Sequence, residues 1–141
     1  MTRIDFHSNV PDKLGYACRL TRKAFLARHR VVLLTENDAD LASLDQLLWT
    51  FSDQDFLPHV AVGTPGMEFT PILLTDSDGV DLPSHEILIN LSTRTPANFA
   101  RFERMFEIVS QDETDRSLGR ERYRYYQQRG YPLTHFVAEK A

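Results

Sequence analysis

A chain of 141 residues with 42% hydrophobic content suits one compact core, so residues 1–141 are expected to form a single domain. Its net charge of −4 and pI ≈ 5.7 exclude a general nucleic-acid binder, which needs a basic footprint wider than one helix face. Cys18 is the only cysteine, which excludes an intramolecular disulfide and a cysteine-based zinc site.

Met1 to Val10 lacks the apolar centre of a secretion signal, and no later stretch approaches the roughly 18 apolar residues of a membrane span, so a cytoplasmic protein is expected. Ile4 to Phe6 reads as a short first strand. Pro11 opens a helical segment in which Leu14, Ala17, Cys18, Thr21, Ala24 and Phe25 recur at three and four residues. The unbroken run Val31-Val32-Leu33-Leu34 has the composition of a parallel strand buried on both faces.

From Asp38 to Phe51 the pattern is again helical, with Leu41, Leu44, Leu47, Leu48 and Phe51 on one side, and Phe56-Leu57-Pro58-His59 ends it. Ile72-Leu73-Leu74 and Ile87 to Leu91 read as two further strands, separated by a polar segment that carries the turn signal Asp78-Gly79. Thr95 before Pro96 marks a helix start, and Phe99, Phe102, Phe106 and Val109 give that helix an apolar face. Ser110 with Glu113 forms a capping-box pattern for a last helix, which Gly130 and Pro132 close. This order predicts an α/β fold, a Rossmann-like three-layer sandwich with a mostly parallel central sheet.

Such a fold invites a nucleotide site, yet the chain contains neither G-x-G-x-x-G nor G-x-x-x-x-G-K-[ST], and the turn after the first strand is Ser8-Asn9-Val10-Pro11. Gly63-Thr64-Pro65-Gly66 reads as a plain loop, because Pro65 removes an amide donor. Asp76, Asp78 and Asp81 fail the EF-hand pattern at its sixth and twelfth positions, and His7, His29, His59, His85 and His135 have no metal-ligand spacing. Cys18 falls on an apolar stripe as a small hydrophobe. No catalytic residue, metal, cofactor or small-molecule substrate is therefore expected. A Rossmann-like nucleotide-binding or metal-dependent enzyme is the alternative, resting on carboxylates such as Asp5, Asp38 and Asp45 meeting in space.

Two surfaces have the composition of binding sites. Trp49 lies about 135° from the mean direction of its helix's apolar residues, so with Phe56, Leu57 and Pro58 it can form an aromatic patch. Residues Arg116 to Arg129 hold five arginines and three tyrosines against Glu121 alone, a net +4 that leaves 11 basic and 19 acidic residues elsewhere. Arg116, Arg120, Tyr123 and Arg124 share one side of that helix, while Leu118, Arg122, Tyr125 and Arg129 share the other. The pattern leaves open which side packs on the domain. The first side suits capture of an acidic peptide or a terminal carboxylate.

Taken in order, Cys18-Arg19-Leu20 with Lys23-Ala24, Arg30-Val31, Leu44-Asp45 with Leu48-Trp49, Phe56-Leu57-Pro58-His59, Leu88 to Ser92, Phe102-Glu103-Arg104, and Arg120-x-Arg122 with Tyr126, Gly130-Tyr131 and Leu133 resemble the chi subunit of the bacterial DNA polymerase III holoenzyme. The resemblance covers nearly the whole chain. It implies a non-catalytic accessory protein that joins the psi subunit of the clamp loader to the acidic carboxy-terminal tail of single-stranded DNA-binding protein, touching DNA only indirectly. By position it assigns the tail site to Val109, Arg116, Arg120, Tyr123 and Arg124, and the psi surface to Trp49, Phe51, Phe56, Leu57 and Pro58.

Overall fold

The computed structural model describes residues 1–138. In chain order the strands are β1 (Arg3–Val10), β2 (Val31–Leu34), β3 (His59–Ala61), β4 (Ile72–Thr75), β5 (Ile87–Asn90), β6 (Arg104–Ser110) and β7 (Leu133–Val137). The helices are α1 (Lys13–Leu26), α2 (Asp38–Thr50) and α3 (Glu113–Gln128). One seven-stranded sheet runs β3-β4-β2-β5-β6-β1-β7, and each neighbouring pair is parallel.

The central strands are apolar at nearly every position because both of their faces are covered. Val31, Leu33, Ile72, Leu74, Ile87 and Ile89 point into a core shared with Ala17, Cys18 and Ala24 of α1 and Leu44 and Leu48 of α2. Their alternate neighbours Val32, Leu34, Leu73 and Leu88 point the other way, into a core closed by Tyr126 of α3. The three-layer α/β sandwich anticipated from the sequence is thus the observed fold, with two helices on one face and one on the other.

Several local expectations are corrected. The first strand extends from Arg3 to Val10, and β3 and β7 add short edge strands that carry no strong apolar pattern. The helix expected after Pro96 is instead a short 3-10 turn, Phe99–Arg101, followed by β6. Phe99, Phe102, Phe106 and Val109 mimic helical spacing, but Phe99 and Phe102 belong to the turn, and within β6 the residues obey alternation: Met105 and Val109 face α3, and Phe106 and Ile108 face α1. Glu107, buried between them on the α3 side, is what hides the strand from a hydrophobicity reading. The α3 cap also shifts: Ser110 ends β6, and Asp112 caps the helix by accepting the Asp115 N–H at 3.1 Å. At the other end Gly130 takes φ +79°, and Tyr131 N–H returns to Tyr126 O at 3.2 Å, closing the helix before β7.

Candidate functional site

The inward line of α3 is Asp115, Gly119, Arg122 and Tyr126, a stripe without a single aliphatic side chain. What holds it down is a buried polar cluster. The Glu107 carboxylate accepts from Arg122 Nε at 3.1 Å, Tyr126 OH at 2.6 Å and Asn90 Nδ2 at 3.0 Å, and Arg122 also donates to Thr93 O at 2.9 Å. Burial pushes the Glu107 carboxyl upward against the opposing pull of Arg122, Tyr126 and Asn90. Burial and the adjacent Glu107 drive the Tyr126 phenol far above its ordinary value, so it remains a donor.

With that line inward, Arg116, Arg120, Tyr123 and Arg124 turn to one flank and line a cavity of ≈ 600 Å³ over the β1–β7 edge of the sheet. Val109 of β6 and Phe6 of β1 also line it. Tyr123 packs edge-on to Phe6, their ring centres 5.0 Å apart. Gly119 has a steric reason: a Cβ there would fall 2.8 Å from Val109 Cγ2, so glycine lets the helix settle onto the cavity floor. All five residues assigned to the tail site therefore border one space. Among the described residues Arg116 and Arg120 each reach only the exposed Glu113, at 3.5 Å, so their guanidinium groups remain available.

Sequence reasoning missed the opposite wall. Ser8 and Asn9 of β1 and His135 and Val137 of β7 complete the cavity, drawn together by a parallel pairing that no sequence spacing announces.

The aromatic surface is partly as expected. Trp49 is 52% and Phe56 67% exposed, with ring centres 5.6 Å apart, and Trp49 also leans on His59 at 4.5 Å. Phe51 and Pro58 are half-buried, Phe51 against the α1–α2 core. Leu57 is a correction: at 1% exposure it is a core residue, because the chain dips into the sheet to begin β3 and carries Leu57 inward. Phe51 also borders a cavity of ≈ 620 Å³ with Arg19, Arg22, Lys23 and Leu26, where Arg22 pairs with Asp55 at 2.6 Å.

At the carboxyl ends of the strands, where doubly wound folds hold phosphates against helix N-termini, this chain places its own acids. Asn37 caps α2 with Asp38 and Asp40 behind it, Asp112 caps α3 with Glu113 and Asp115 behind it, and Glu36 accepts the Thr93 N–H at 2.6 Å. The ≈ 370 Å³ cavity there is lined by Asp12, Glu36, Asp40 and Asp115 against Lys13, a field that repels a phosphate. Asp5, Asp38 and Asp45 do not act together: Asp5 pairs with Arg104 at 2.6 Å, Asp45 meets His59 at 3.2 Å, and Asp38 lies beside Asp76, which raises its carboxyl above the ordinary range. Cys18 is fully buried, and burial pushes its thiol up to about 12, so it is a packing residue. Among the described residues no helix is long and apolar enough to cross a membrane.

Fold and cavity together define a doubly wound α/β protein with a basic, aromatic cavity on the flank of its last helix. The family model described as "DNA polymerase III chi subunit, HolC" matches residues 1–134, and the chain belongs to that family. It is similar to the DNA polymerase III subunit chi of Pseudomonas aeruginosa, 31% identical over 137 residues that span 94% of each chain. The proteins of the same name from Haemophilus influenzae and Escherichia coli are 26% and 24% identical, over 84% and 82% of this chain and 82% and 79% of theirs.

Proposed function

We propose that this protein is a non-catalytic accessory subunit of the DNA polymerase III holoenzyme, joining the psi subunit of the clamp loader to the acidic carboxy-terminal tail of single-stranded DNA-binding protein. The observation that carries the reading is the common cavity of Val109, Arg116, Arg120, Tyr123 and Arg124. Arginine forks match the carboxylates of an acidic tail, and Val109, Phe6 and Tyr123 offer an apolar floor for an anchoring side chain. Exposed ion pairs contribute only about 0–1 kcal/mol each, so the apolar floor supplies the anchor and the arginines supply steering and register. Trp49 and Phe56, remote from that cavity in sequence and exposed with their rings tilted against each other, form the psi-facing surface. DNA is then held at second hand, at the cytoplasmic replisome, through the protein that coats it.

The test is fluorescence anisotropy of a labelled tail peptide. Wild type binds with an affinity that weakens as salt rises, Arg120→Ala binds more weakly, and Trp49→Ala binds the tail normally but no longer co-elutes with psi. Equal tail affinity for wild type and Arg120→Ala removes the assigned site.

A further inference from the structure

The cavity beside α3 has a second wall of different chemistry. His135 of β7 meets Ser8 of β1, Nε2 to Oγ 2.7 Å, and its ring stands 6.3 Å from that of Tyr123 across the cavity. The wall is anchored to the sheet: Ala138 N–H donates to Ser8 O at 2.8 Å, and Asn9 Nδ2 donates to Ala138 O at 3.1 Å. Asn9 holds φ +59°, a conformation most residues avoid, and so ends the regular part of β1 beside the cavity.

A neutral serine–histidine pair spends one proton on its own bond and keeps another. If the hydroxyl donates to Nε2, the imidazole retains an N–H at Nδ1; if Nε2–H donates to Oγ, the hydroxyl retains its O–H. In either tautomer one donor is left for an incoming acceptor. His135 is exposed and Ser8 half-buried, so a ligand in the cavity can reach the pair.

We propose that Ser8 and His135 form a second recognition element of this cavity, donating a hydrogen bond to a main-chain carbonyl of the bound acidic peptide. The inference rests on the peptide-binding reading given above. A carboxylate gains more from the three arginines on the α3 side, whereas a peptide laid beside edge strand β7 offers a carbonyl at every residue. The peptide is then gripped from two sides, its charges by Arg116, Arg120 and Arg124 and its backbone by Ser8 and His135.

The experiment is tail-peptide anisotropy for wild type, His135→Ala, Ser8→Ala, His135→Gln and Arg120→Ala, each at about 50 and about 300 mM salt. The loss of one neutral hydrogen bond lowers affinity about threefold to tenfold in both alanine variants, equally at both salt concentrations. Arg120→Ala, by contrast, flattens the salt dependence, and His135→Gln, which restores a donor, recovers most of the affinity. If wild type binds and both alanine variants bind equally well, the second wall plays no part and the peptide-binding reading stands without it. A loss in His135→Ala confined to low salt overturns the neutral-donor role. No binding by wild type overturns the peptide-binding reading itself.

Discussion

Glu107 of β6 and Arg122 of α3 form an ion pair sealed from solvent, Nε to Oε1 3.1 Å, with side-chain exposures of 0% and 4%. It sets the rotation of the helix that carries the candidate site: with Arg122 and Tyr126 turned inward onto Glu107, the Arg116, Arg120, Tyr123 and Arg124 flank faces the cavity. Removing one partner leaves the other charge buried and alone, so Arg122→Ala and Glu107→Ala should each lose about 3–5 kcal/mol of unfolding free energy. Urea denaturation measures it. A double variant that replaces both with apolar residues of similar volume should recover most of the loss, since burying the pair is itself costly. Single variants within 1 kcal/mol of wild type would falsify the idea that the pair holds the helix.

This pair also explains what was legible in the sequence. The two-sided cores of β2, β4 and β5 announce themselves in unbroken runs of valine, isoleucine and leucine, and they fixed the fold class. The rotation of α3 does not, because its inward stripe of Asp115, Gly119, Arg122 and Tyr126 looks polar, and because Glu107 interrupts β6. Four of the five residues proposed for the tail site share a helix flank, so spacing alone grouped them, and the family resemblance added Val109. The Ser8–His135 wall is created by two strands more than 120 residues apart in sequence, and hydrophobic periodicity holds no trace of it.

Among the described residues Glu113 is the one acidic group that pairs with Arg116 and Arg120, at 3.5 Å from each. It stands where a tail carboxylate would compete. Glu113→Gln should therefore tighten binding of an acidic tail peptide, by a factor of about two to five at low salt, the yield of one exposed ion pair. The gain should vanish at high salt as the competition is screened. Titration by anisotropy decides it, and unchanged affinity at low salt means that Glu113 does not occupy the peptide's place.

Asp115 predicts a pH dependence. Burial raises its carboxyl, but the Ser110 N–H at 2.8 Å and Lys13 Nζ at 3.1 Å outweigh burial and hold it below the ordinary carboxylate range. A carboxyl whose value is lower in the folded chain favours folding when ionised. Its contribution is therefore complete above the unfolded value of about 3.9 and is lost as pH falls through the folded value. Asp115→Asn should be less stable than wild type at pH 7, and the gap should close on acidification towards about pH 2. Thermal melts across that range measure the gap, and a constant gap assigns the effect to packing rather than charge.

The last prediction separates core from surface at two adjacent positions of the aromatic segment. Leu57 is 1% exposed and packs among the α1–α2 core residues, whereas Phe56 beside it is 67% exposed. Leu57→Ala should lose about 2–5 kcal/mol, the transfer of a buried leucine plus the cavity it leaves. Phe56→Ala loses at most the contact of its exposed ring with Trp49, about 1 kcal/mol, and Trp49→Ala loses that contact and the one with His59, about 1–2 kcal/mol. Partner binding should follow the reverse order: the two aromatic variants fold and lose the psi partner, while Leu57→Ala binds psi in proportion to the fraction that remains folded. Urea denaturation combined with co-elution tests both halves. A Phe56→Ala variant as unstable as Leu57→Ala shows that the patch is structural, and a stable Phe56→Ala that still co-elutes with psi shows that its partner contacts a different face.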